Sequence, residues 1–168
     1  EISVVLSATG LTRTGIAVRN GRRACVLAGP PAEIDAATDL LAHWRTTRLP
    51  TAYSFHAPFL RGAAADEVTA ALSGLIPRPE RCPLFSTVSG AAIPGTTMDA
   101  AHWARNVAEP VDFVDAVGAV AATGHWCYLE VGPGRTLLPH LTSEIGRIEA
   151  EIGSKSSVRN VAEGLFRK

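Results

Sequence analysis

The chain has 168 residues, of which 46% are hydrophobic and 19% charged, and its 16 basic residues balance 16 acidic ones. That length fits one domain, or one and a fraction, and is enough to bury a core. A neutral balance gives no electrostatic reason to expect nucleic acid or an anionic membrane as partner, and no apolar run reaches the roughly 18 to 20 residues that span a bilayer.

In chain order, residues 2–11 are compatible with a helix, although Val4-Val5-Leu6 is equally compatible with a strand. The opening residues lack the basic leader and long apolar stretch of a signal peptide, so the expected compartment is the cytoplasm. Thr14-Gly15-Ile16-Ala17-Val18 and Ala24-Cys25-Val26-Leu27-Ala28 flank Asn20-Gly21. Asn-Gly tolerates the positive φ of a tight turn, which predicts an antiparallel hairpin. Gly29-Pro30-Pro31 closes the second strand and opens a helix, because proline is tolerated in a helix's first turn. Ile34, Ala37, Leu40, Leu41 and Trp44 then recur at helical spacing, and residues 46–52 read as a further strand. A strand pair, a helix and another strand make most of a ferredoxin-like unit over residues 1–53, whose first strand is expected before residue 1.

Residues 58–75 predict a helix with Asp66 and Glu67 on its wet face, ended by Pro77-Arg78-Pro79. Residues 83–88 predict a strand, stopped by Ser89-Gly90. Two helices follow, over 99–107 and 111–122, divided at Pro110 because proline lacks an amide donor and disfavours helix at the residue before it. Residues 126–131 read as a buried strand running into Gly132-Pro133-Gly134. A helix from Arg135, a polar strand or turn near Ile148, and a last helix capped by Ser156 or Ser157 complete the chain. Strands alternating with helices predict an α/β fold. Cys25, Cys82 and Cys127 are too widely spaced for a zinc site or a disulfide framework, and read as small buried hydrophobes.

His56 ends the string Tyr53-Ser54-Phe55-His56, where a strand is expected to give way to a helix. Such junctions expose side chains at the end of a sheet, and an imidazole that titrates near neutral pH suits a general base. The same six residues, through Ala57-Pro58, are compatible with a surface or packing histidine. Trp103-Ala104-Arg105-Asn106-Val107-Ala108-Glu109-Pro110-Val111 and Leu129-Glu130-Val131-Gly132-Pro133-Gly134 follow at a distance. The three segments in this order resemble the second half of the acyl-CoA:acyl-carrier-protein acyltransferases. That family includes malonyl-CoA transacylases and the acyltransferase domains of polyketide synthases.

The resemblance implies a partial acyltransferase fold: the ferredoxin-like small subdomain at 1–53, then the C-terminal part of an α/β hydrolase-like large subdomain at 54–168. It implies that His56 deprotonates a serine, which attacks the thioester of a coenzyme A substrate. The same imidazole then protonates the leaving thiol, and later activates the phosphopantetheine thiol of an acyl carrier protein. A backbone carbonyl near Asn106 is implied to hold the imidazole by one ring nitrogen. Asn106 itself is equally compatible with a helix-end capping role. Tyr53, Ser54 and Phe55 are implied to bear on substrate choice. A bulky residue at position 55 fills the space an α-methyl needs and favours malonyl groups, whereas Tyr53 matches the methylmalonyl pattern. No resident cofactor and no metal are implied, and His43, His102, His125 and His140 share no ligand spacing. The family's Gly-His-Ser-x-Gly-Glu elbow is not in this sequence. The expected partners are therefore the carrier protein and a separate N-terminal half bearing the serine, without which this chain is expected to be inactive. A carrier-docking module that has lost catalysis is the other reading.

Overall fold

A computed structural model describes residues 2–51, 53–124, 127–132 and 134–152. Helix α1 (Ile2–Ala8) buries Leu6, and the Thr9 hydroxyl turns back onto the Val5 and Leu6 carbonyls to close its end. Strands β1 (Gly15–Gly21) and β2 (Ala24–Ala28) pair antiparallel, as the flanking apolar runs predict. The turn, however, falls at Arg22-Arg23 and not at Asn20-Gly21. A register shift between Arg19 and Gly21 absorbs the extra residue, and neither Asn20 nor Gly21 takes a positive φ. Gly29 is required where the hairpin's open end narrows: a Cβ there would lie 2.0 Å from Thr14 Oγ1. Pro31 opens helix α2 (Pro31–Leu40), which turns Ala37 and the following Leu41 into the core.

Residues 45–51 form no strand and are exposed. The edge of β1 that an added strand would use is taken instead by β5 (Val111–Asp112), which pairs parallel to it, Val18 opposite Val111, in a sheet of order β2-β1-β5. Unpaired backbone in that position is better solvated than extended alone. The helix expected over 58–75 is also divided. A 3-10 turn (Pro58–Leu60) precedes α3 (Ala63–Ala71), with Gly62 between them at φ −124°, ψ −116°. Asp66 and Glu67 are on its exposed side.

A minimal hairpin, β3 (Phe85–Ser86) and β4 (Ala91–Ala92), turns at Gly90, whose φ of +64° and approach to Asp115 leave no room for a Cβ. Helix α4 (Ala100–Ala108) is capped by Asp99, whose carboxylate accepts from the His102 amide at 2.9 Å. Pro110 stops it. Val111 and Asp112 then pair with β1 before α5 (Phe113–Ala121) begins, so the second expected helix starts two residues late. Helix α6 (Leu138–Ile152) packs on α5 through Val117, Leu141 and Ile145, with Phe113, Ala121, Tyr128 and Ile148 around them. Each such aliphatic side chain contributes about 1.5–3 kcal/mol on burial.

Three expectations differ at this end of the chain. Residues 127–131 are not a strand, and Leu129 and Val131 are exposed; Trp126 and Pro133 lie outside the described residues. The last long helix starts at Leu138 and not at Arg135, and runs through Ile148 where a strand or turn was expected. The helix expected from Ser156 lies outside the described residues. Cys25 is half-buried, but Cys82 and Cys127 are exposed, because both lie in connections and not in packed elements. The mixed α/β class stands. No helix among the described residues is long and apolar enough to cross a membrane.

Candidate active site

His56 is the one non-glycine residue among those described with a positive φ, at +62°. Left-handed backbone costs an L-residue about 1–2 kcal/mol, and it persists only where surrounding contacts over-determine it. Those contacts come from three directions. Ahead of it, the Ser54 hydroxyl donates to the Gly29 carbonyl at 3.0 Å, tying the segment to the end of β2. Behind it, Ala57 is fully buried and Pro58 lies against Gly15 at the start of β1, where a Cβ would meet the proline ring at 2.8 Å. From the side, the end of α4 supplies two carbonyl oxygens. Val107 O accepts from the His56 amide at 3.2 Å, and Glu109 O lies 2.9 Å from His56 Nδ1.

The second of these contacts decides the ring's protonation. A carbonyl only accepts, so Nδ1 carries the proton in the neutral ring and Nε2 carries the lone pair. Among the described residues Nε2 has no hydrogen-bond partner, and the side chain is half-buried. A ring clamped through Nδ1 with a basic Nε2 accepts a proton from a nucleophile and returns it to a leaving group. Among the described residues no carboxylate takes part in this clamp.

Asn106, the residue singled out near the imidazole's partner, makes no hydrogen bond to His56; the acceptors are the backbones of Val107 and Glu109 on either side of Ala108. Backbone acceptors carry no side-chain signature, and the only hint of them in the sequence is Pro110, which leaves carbonyls unclaimed at the end of a helix. Tyr53 and Phe55 are both exposed, with ring centroids 5.6 Å apart and tilted. His102 is buried in α4, where burial holds its imidazole below the usual range, followed by Arg105 in the same direction. Arg135 is exposed. Among the described residues no group of His, Cys, Asp and Glu gathers to hold a metal.

The acyl transferase domain family model matches residues 8–157. The chain belongs to this family. The matched region of the chain covers β1 to α6 and the whole His56 clamp. It is 40% identical over 122 residues to the polyketide synthase GfsA of Streptomyces halstedii, covering 71% of the chain and 2% of that protein. It is 33% identical over 123 residues to the erythronolide synthase EryA2 of Saccharopolyspora erythraea, covering 72% of the chain and 3% of that protein. Among solved structures it superposes on the acyltransferase domain from module 8 of the salinomycin polyketide synthase with a TM-score of 0.82 at 28% identity, over 98% of this chain and 39% of that one. It superposes on the MCAT of Streptococcus pneumoniae with a TM-score of 0.73 at 25% identity, over 84% of this chain and 47% of that one. The chain therefore spans less than half of these solved chains and a few per cent of the synthases. It is of the polyketide synthase and transacylase type.

Proposed function

We propose that this chain is the histidine-bearing part of an acyltransferase that moves a malonyl-type group from coenzyme A to an acyl carrier protein. The nucleophilic serine, on this reading, comes from another stretch of polypeptide, residues 1–53 form the small subdomain, and residues 54–168 continue the large one. The supporting observation is the His56 ring, held by Glu109 O at Nδ1 with Nε2 left to work.

His56 Nε2 takes the serine hydroxyl proton as the serine oxygen bonds to the thioester carbon. The tetrahedral intermediate then expels the coenzyme A sulfur, which takes that proton from the imidazolium, leaving an acyl-serine. The carrier's phosphopantetheine thiol, deprotonated by the same nitrogen, attacks the acyl-serine, and the proton returns to the serine oxygen. Two half-reactions through one covalent intermediate give ping-pong kinetics. Asn106 marks the place of the backbone carbonyls that hold the ring, immediately before Val107. Tyr53, Ser54 and Phe55 line the approach to His56, with Phe55 opposing an α-methyl. The chemistry needs no resident cofactor, and the setting is the cytoplasm, where coenzyme A thioesters and carrier proteins are made.

The test is acyl loading from malonyl-CoA by the protein assembled with its serine-bearing part. His56→Ala should lower the loading rate about 10²–10⁴-fold, the range general base catalysis contributes. Loading by His56→Ala at the unsubstituted rate overturns the assignment. An assembled protein that binds carrier yet never loads supports the docking-module reading in its place.

A further inference from the structure

We propose that Pro110 is a positioning residue for His56: it keeps the end of α4 open so that two backbone carbonyls are available to hold the histidine. The inference rests on His56 acting as the base. Three observations carry it. Glu109 lies at φ −95°, ψ 157°, the extended region to which a following proline confines a residue. Proline has no N–H, so the helix loses its next backbone bond at position 110. Both His56 acceptors, Val107 O and Glu109 O, belong to the stretch thus left unclaimed.

The competing arrangement shows why this matters. In a continuous helix each N–H bonds the carbonyl four residues earlier. The amide of Val111 would then claim Val107 O, and the amide of Phe113 would claim Glu109 O. Those are the two oxygens that His56 uses. Helices α4 and α5 are separated only by residues 109–112, which contain no glycine. With alanine at 110 the intervening Glu-Ala-Val-Asp carries no strong helix breaker. What opposes the merger is the short β5 pairing of Val111 and Asp112 with β1. Pro110 thus acts twice, by forbidding the helix and by aiming the Glu109 carbonyl away from the helix axis and at the ring.

The test uses the complete acyltransferase that contains this chain, labelled with ¹⁵N at histidine, the His56 signal being assigned by its loss in His56→Asn. The unsubstituted protein should show His56 as the single Nδ1–H tautomer. In Pro110→Ala that tautomer should give way to a mixture, and kcat for acyl transfer should fall about hundredfold with KM for malonyl-CoA within about twofold, as misplacement of a reacting group predicts. Pro110→Gly also frees Glu109 but resists helix, and reads the same two quantities should Pro110→Ala not fold. An unchanged tautomer and kcat in whichever variant folds would falsify the proposal, as would an Nε2–H tautomer in the unsubstituted protein. Normal loading by His56→Ala would instead sink the reading of His56 as base, and leave the tautomer result standing.

Discussion

His56 combines a strained backbone with a ring that is tied at one nitrogen only. The strain is recovered from the Val107 and Glu109 carbonyls, so the same two bonds that make the conformation affordable also orient the side chain. Next to it, Phe55 is exposed and tilted against Tyr53. If its bulk opposes a branched acyl group, Phe55→Ser should raise the ratio of methylmalonyl to malonyl loading about tenfold or more, the lower end of what one methyl is worth in discrimination. Competition between the two coenzyme A thioesters measures it, and an unchanged ratio removes Phe55 from substrate choice.

Helix ends carry much of the organisation at the scale of elements. Asp99 caps α4, and Glu130 caps α6 from a distance: its two carboxylate oxygens accept from the Leu137 and Leu138 amides, both at 3.0 Å. A carboxylate at a helix N-terminus satisfies otherwise unpaired donors and complements the helix dipole. This ties Glu130 to the start of α6 although residues 127–131 form no strand. Glu130→Ala should therefore lower stability by about 1 kcal/mol, with Glu130→Gln, which keeps one acceptor, in between. Thermal unfolding reads the order; equal Tm for Glu130→Ala and the unsubstituted protein would show that the cap contributes nothing. Elements of this kind were legible where their signals are local. The hairpin, α2 and the break at Pro110 follow from apolar spacing and proline chemistry. Among the described residues the strands expected over 46–52 and 126–131 do not form, because an apolar run states what the chain can do and not whether an edge is open to receive it.

For the whole molecule, the tie that matters is the one between β1 and β5, which come from distant parts of the chain. Arg19 reaches Asp112 across this pairing at 3.1 Å. The bridge does not decide the carboxylate's titration. Burial pushes the Asp112 carboxyl above its usual range, the neighbouring Asp115 adds to it, and Arg19 only partly opposes them. A carboxyl raised in the folded state penalises folding in full above its folded pKa; the penalty falls as pH drops through that value and is gone below the ordinary carboxylate value. Asp112→Asn should accordingly unfold at a higher temperature than the unsubstituted protein at pH 7, with the difference shrinking as pH falls through the raised folded value and vanishing once it is below the ordinary carboxylate range. A loss of stability at pH 7 would mean that the Arg19 bridge outweighs burial.

Residue order alone was enough for the α/β class and the acyltransferase family, and it singles out His56 as the candidate base, because each rests on short strings or on periodicity along one segment. The folded chain was needed to name Glu109 as the imidazole's partner, to set the hairpin turn at Arg22-Arg23, and to give the edge of β1 to Val111 and Asp112. Those outcomes depend on which backbone oxygens and strand edges are left vacant once remote segments meet, and a main-chain carbonyl looks the same at every position of a sequence.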